Sequence, residues 1–436
     1  MKLLLICLLA LGPAFAADEV SVPAPALKSF FGWTPTENLP SWLQLGGQIR
    51  GRFEFPSGTA LTNSAGDGYY ASRIRVDFGV KPLPWLNFFA QTQDTRTAAY
   101  NQPVAPATLY NPFDLRQGYV EVGTSDRFLR LRAGRQELAF GSERLIGPAD
   151  WTLSKTFDAL DLTVGNRNSR VDFIAGSLVQ IDPNRFDRHK PGEHFYGAYG
   201  SFKNLPGALN VEPYILFKQT LFVKSEYSAP GDALVASPGI RVYGKTPGRF
   251  DYSLEFILQR GTYSADQVRA YAQSYTAGWT VSKAAWKPRL SIEYTYASGD
   301  STLKDGRRGT FDQFYPSNHS NYGMIDQFGW KNLINSRAGF DCVFWQKLKI
   351  RTDFNQFYLA SLQDGLYNSS GASVVLNRKA TSNHIGWETN TVAIYQWTKV
   401  WRFGAGYGRL FAGGFLKQSN VTYGYTYPFV FFTRSF

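Results

Sequence analysis

Basic residues recur at alternate positions in several short stretches of this 436-residue chain, and that spacing can do electrostatic work without covalent chemistry. Arg50 and Arg52 are one residue apart, as are Arg73 and Arg75, Arg130 and Arg132, and Lys349 and Arg351. Successive side chains of a strand point to opposite faces, so each pair shares one face. Their neighbours are mostly apolar: Leu129, Leu131 and Ala133 alternate with Arg130 and Arg132, and Ile74, Val76 and Phe78 alternate with Arg73, Arg75 and Asp77. A row of cations facing water lowers the barrier for an anion and raises it for a cation. Arg170 belongs to the same set. The competing arrangement is a structural network in which Glu54, Asp77, Glu121, Asp161, Asp172 and Asp353 neutralise the row across neighbouring strands. The two are compatible, because a paired wall still leaves a surplus of positive charge.

The densest stretch runs from Phe113 to Leu162. It holds a strand around Arg130 and Arg132, a break at Gly141, a turn rich in Gly and Pro that carries Arg144, Asp150 and Trp151, and renewed alternation near Phe157. Within it, Gly134-Arg135-Gln136-Glu137 conflicts with simple alternation. Strict period two sends Arg135 to the apolar face, where an arginine at the middle of a bilayer costs about 2 to 4 kcal/mol. A bulge at Gly134 that turns Arg135 inward is the expected solution; an arginine snorkelling at an interface is the alternative.

Covalent chemistry has little support. The chain has no Gly-x-Ser-x-Gly, no His-Glu-x-x-His and no phosphate loop, and His189, His194, His319 and His384 are scattered singly. Neither a metal nor another cofactor is expected. An outer-membrane barrel enzyme or receptor remains the alternative reading, since its partners would meet only in space.

These side chains need elements that hold them. Residues 1–16, with Lys2, an apolar run and Ala14-Phe15-Ala16, read as a secretory signal peptide cleaved near Ala17. Residues 17–41, rich in proline, form a periplasmic lead-in, and 42–436 the main domain. The net charge of +12 becomes +11 once Lys2 is removed, and an exported chain makes nucleic acid an improbable partner for it. Cys7 leaves with the signal, so Cys342 has no intrachain partner.

Alternation then recurs in about eighteen runs, sixteen being the other count considered, each near the 9 to 11 residues a tilted strand needs to cross a bilayer. Connections alternate between short ones, such as Thr246-Pro247-Gly248, and long ones: Gly141 to Lys155, Ile181 to Glu193, Ser225 to Ser237, Gly299 to Lys331 and Leu362 to Ser382. Tryptophans such as Trp85, Trp279, Trp345 and Trp397 sit where an interfacial girdle requires them. The predicted fold is all-β: a transmembrane antiparallel barrel in the outer membrane of a Gram-negative cell, closed because an open edge in lipid strands backbone groups. The connection from Asp300 to Asn332, with its many aromatics, is expected to fold over the mouth as a constriction or lid.

Two stretches resemble one family. Leu115-Arg-Gln-Gly-Tyr-Val-Glu121 with Gly134 to Gly147 and Thr156-Phe-Asp-Ala-Leu160, and then Tyr296-Ala-Ser-Gly-Asp300 with Phe311 to Trp330, are similar to the alginate export family of outer-membrane porins. The resemblance implies an eighteen-stranded monomeric barrel with an electropositive channel for an anionic polysaccharide, alongside periplasmic export components; Arg135, Glu137 and Arg144 are its motif positions here. The expected function is passage of an anionic solute, whether a polyuronate, an acidic sugar or an organic acid. The expected pathway is Arg50, Arg52, Arg73, Arg75, Glu121, Arg130, Arg132, Arg135, Glu137, Arg144, Asp161, Arg170, Lys349 and Arg351.

Overall fold

A computed structural model describes residues 39–57, 61, 66, 68–99, 109–123, 128–151, 153–282, 284–421 and 424–436. The expected signal peptide and nearly all of the lead-in lie outside the described residues. Alternation becomes eighteen long strands in one sheet. In chain order they are β1 (Leu43–Glu54), β2 (Tyr69–Leu83), β3 (Leu86–Ala99), β4 (Asn111–Gly123), β5 (Leu129–Gln136) and β6 (Phe157–Gly165). Next come β7 (Ser169–Gln180), β8 (Glu193–Leu205), β9 (Leu209–Lys224), β10 (Pro230–Lys245), β11 (Phe250–Tyr263) and β12 (Asp266–Thr280). The last six are β13 (Arg289–Ala297), β14 (Leu333–Phe344), β15 (Leu348–Leu359), β16 (His384–Gln396), β17 (Trp401–Ala412) and β18 (Tyr425–Ser435). Each is antiparallel to the next, and β18 returns to β1 in a register running from Gln48 opposite Ser435 to Glu54 opposite Phe429. The sheet is therefore closed.

The two faces differ as the period predicts. Ile49, Ile74, Val76, Phe78, Leu131 and Leu160 are exposed on the outside, whereas Arg50, Arg52, Arg73, Arg75, Asp161 and Asp172 are buried on the inside. Trp85, Trp279, Trp286, Trp345 and Trp397 are exposed near strand ends, as a girdle requires. The last strand keeps its alternation despite Pro428: Tyr427, Phe429 and Phe431 turn inward and are buried, while Val430 is exposed.

Two long connections depart from expectation. The segment read as a loop from Ser225 to Ser237 is a short turn, because β10 already begins at Pro230. Residues 181–192 contain a two-residue strand, Arg188–His189, that pairs with Val179 and Gln180. By contrast, 141–155 and 311–330 hold buried apolar side chains: Leu145, Ile146 and Leu153 in the first, and Phe311, Tyr322, Phe328 and Trp330 in the second. Both segments fold into the barrel rather than over its outside.

The bulge expected at Gly134 is one strand away. Pairing of β5 runs without a shift on both sides, Gly134 facing Tyr119 and Ala159. The extra residue is Arg116 in β4, where Gln91 faces Gln117 and Thr92 faces Leu115. Arg135 therefore keeps the parity of Leu129 and Leu131 and lies on the outward face. It tolerates that place by donating to Asp158 at 2.8 and 3.1 Å and to the carbonyls of Leu115 and Asp187. It is near the end of the strand, where such an arginine costs far less than at mid-membrane.

Gly134 is nonetheless required. Its φ is +128°, and a Cβ there would run into the carbonyl oxygen of Gly118. Gly134→Val is expected to destabilise the barrel by about 1 to 3 kcal/mol, read as a lower urea midpoint for loss of the fast-migrating unboiled band on gels; an unchanged midpoint would show that the strand relaxes freely.

Candidate functional site

The site is built where the inner faces of β1 and β2 meet the inserted turn. Arg50 faces Arg73 and Gln48 faces Arg75 across the two strands, so four guanidinium groups crowd one patch of wall. Like charges this close repel unless an acid is shared among them. Asp150, at the tip of the 141–155 segment, supplies it. Arg73 donates to the two carboxylate oxygens of Asp150 at 2.9 and 3.2 Å, and Arg75 donates to the same pair. Arg50 donates to the carbonyls of Asp150 and Trp151 at 3.0 and 3.1 Å. Arg52 pairs with Glu54, donates to the carbonyl of Trp151 and lies 4.4 Å from the centre of its indole ring.

The same segment is fastened at its other places. Arg144 reaches Glu293 on β13 at 2.8 Å, and Glu293 also takes Arg337 of β14 at 2.7 Å. Glu137 accepts from Arg116 and from Ser154, closing the base of the segment. Because β2 and β13 are far apart around the ring, Asp150 and Arg144 together span the interior.

The second segment locks the first. Tyr315 donates its N–H to the carbonyl of Leu145 at 2.7 Å, Gly147 to Tyr315 at 3.0 Å and Ser317 to Glu143 at 2.9 Å. Lys155 donates to the carbonyl of Pro316 at 2.7 Å. The short helix α1 (Asn318–Asn321) places the His319 ring flat on Trp151, 4.7 Å between centres and 7° between planes. Trp151 also meets Phe429 and Phe431 edge-on at 4.8 and 5.8 Å and donates its indole N–H to Tyr427 at 2.9 Å.

A cavity of about 110 Å³ remains between these segments and the wall formed by β14 to β18 and β1. Among the described residues its lining carries five basic side chains, Arg50, Arg337, Lys349, Arg351 and Arg402, against two acidic ones, Asp150 and Asp353. The rest is largely apolar.

The other expected residues lie elsewhere. Arg130 meets Asp161 at 3.0 Å, Arg132 meets Glu121 at 2.6 Å and Arg170 meets Asp172 at 3.0 Å, all on the inner wall of β4 to β7 toward the short turns. These pairs are the cross-strand network anticipated as the competing arrangement. Arg135 is outside. Arg116, Arg337, Arg402 and Glu293 were not anticipated. Alternation alone marks Arg337, Arg402 and Glu293 as inward, whereas Arg116 sits at a bulge that breaks the period. His319 has no periodic signal, since its place depends on how the loop docks.

Burial pushes the His319 imidazole down to about 3, and Arg52, Arg351 and Arg50 reinforce the effect. An undocked segment returns it to about 6.5. Between about pH 6.5 and about 3 the undocked form therefore holds a proton that the docked form lacks, and acid weakens docking across that window. Asp326, raised by burial to about 6 against the pull of Lys155, works the other way from about 6 to about 4. Lys155, lowered by burial to about 8, is protonated in both forms below that and adds no slope. The His319 window is the wider of the two and opens first. In planar-bilayer recordings at about pH 4.5, His319→Phe, which keeps a ring on Trp151, is expected to open less often than the wild type, each compared with its own behaviour at neutral pH; an equal acid response in both proteins would remove His319 from this role.

The alginate export family's sequence pattern matches residues 41–427. No protein of curated function matches the chain in sequence. Solved structures share the fold at low identity. OpdK of Pseudomonas aeruginosa, solved with vanillate, has a TM-score of 0.61 and 9% identity over 90% of this chain and 98% of its own. OccK11 (OpdR) of the same organism gives 0.56 and 11% over 90% and 95%. OccAB2 of Acinetobacter baumannii gives 0.57 and 9% over 90% and 98%. A match across nearly all of the barrel, on a closed eighteen-stranded sheet, places the chain in the outer membrane as a non-enzymatic solute channel, and it belongs to the alginate export family.

Proposed function

We infer that the solute is an anion that crosses by diffusion along the basic inner wall. The observation that carries this reading is the excess of five basic over two acidic side chains around the cavity, the place where the inserted segments leave room. Each cation there has a fixed position, so it stands in for the counter-ions and part of the water that an anion gives up on entering. Lys349 and Arg351 of β15 line that space together with Arg50 of β1. Toward the short-turn end Arg130, Arg132 and Arg170 are each matched by an acid, Asp161, Glu121 and Asp172, so that stretch gives the wall fixed guanidinium groups without adding to the basic surplus. Glu137 and Arg144 act through the segment they fasten rather than by lining the path. Arg135 is left out of the pathway by its outward position.

A single chain closes its own barrel and so holds a complete channel, and this reading takes a monomer in outer-membrane lipid as the working unit. The family's description fits an acidic polymer, and the same charge serves an acidic sugar or an organic acid.

Reversal potentials across a potassium chloride gradient test the reading. The wild-type channel is expected to prefer chloride, and the double variant Lys349→Glu with Arg351→Glu to lower the anion-to-cation permeability ratio several-fold. A cation-selective wild type would overturn it.

A further inference from the structure

The inserted segment brings its own occupant to the basic wall. Asp150 and Trp151 are adjacent in sequence and act as two halves of one ligand. The carboxylate of Asp150 sits in the fork of Arg73 and Arg75, with Arg116 at 3.8 Å. The indole of Trp151 lies against Phe429 and Phe431 and under His319. An acid group is thus held by arginines at one end, and a flat ring is held by aromatic faces at the other.

The cavity continues both surfaces. Its lining joins basic side chains such as Arg50, Arg351 and Arg402 to the apolar Phe429, Phe431 and Met324 and includes Asp150 and Trp151 themselves, while Arg73 and Arg75, which hold Asp150, are not part of it. Its volume of about 110 Å³ is of the order of the roughly 150 Å³ apolar cavity that takes up benzene. Met324, Val392, Ile394, Phe429 and Phe431 present no side-chain hydrogen-bonding group to a ring lying on them. A ring bearing several hydroxyls laid on these residues loses water without replacement and finds partners only where Ser320, Asp353 or the basic side chains line the cavity, whereas an aromatic ring loses little.

We propose that this cavity binds a carboxylate borne on a single aromatic ring, and that Asp150 and Trp151 are its resident stand-in, yielding the arginine fork to the solute as it passes. The assignment rests on the anion-channel reading and narrows it to a ligand shape. Exchange of one carboxylate for another keeps the arginines paired throughout, so the segment can release its tip without exposing an unpaired buried charge.

The test uses the full chain in planar bilayers with benzoate, glucuronate and acetate as sodium salts at matched ionic strength. Benzoate is expected to alter the current saturably, with a half-saturation about tenfold lower than that of glucuronate or acetate. Asp150→Asn, which removes the competing charge, is expected to lower the benzoate half-saturation, and Asp150→Glu to keep it near the wild-type value. Equal half-saturation for benzoate and glucuronate in the wild type overturns the ring assignment, without relying on any variant. A benzoate response that Asp150→Asn leaves unchanged overturns the stand-in. Cation selectivity in all three salts would instead overturn the anion-channel reading beneath both.

Discussion

Backbone hydrogen bonding in a medium without water is the constraint on which everything else in this molecule depends. Each unpaired N–H or C=O group in lipid costs several kcal/mol, so a strand that crosses must be paired on both edges. The chain meets this by joining β18 to β1 and leaving no edge. Closure then sets the chemistry of the two faces. The outer one must be apolar, and Ile74, Val76 and Phe78 are exposed there. The inner one is released from that demand and takes the charge.

A barrel of eighteen strands encloses more space than wall side chains fill, and the inserted segments occupy it. They are held there by charge as well as by the apolar side chains they bury against the wall. Asp150 draws on Arg73 and Arg75, Arg144 on Glu293, and Lys218 of the wall on Asp312 of the second segment at 3.2 Å. Such pairs, unlike an apolar core, are sensitive to the ions that pass. The aromatic stack of Trp151, His319 and Phe429 adds an apolar joint between loop and wall.

Arg116 and Arg135 show how far local pattern reaches. A glycine before an arginine on a lipid-facing position suggested a bulge, and one does exist, but at the next strand. The physical problem was identified and its address was wrong, because a bulge is a property of a strand pair and only pairing reveals which partner carries the extra residue. Arg135 is then tolerated by Asp158 and by carbonyls of neighbouring segments, which no spacing in the sequence indicates.

The sequence by itself determined the barrel, its strand number, the inward parity of the paired arginines and the family, since all of these follow from a period of two and from motifs contiguous in the chain. Only the tertiary structure decided what those arginines hold. Asp150 lies about a hundred residues from Arg50 and meets it because the segment folds inward, and His319 reaches Trp151 from the opposite side of the ring. Alternation tells a side chain which face to take, but the partner waiting on that face is set by closure of the sheet and by the space it encloses.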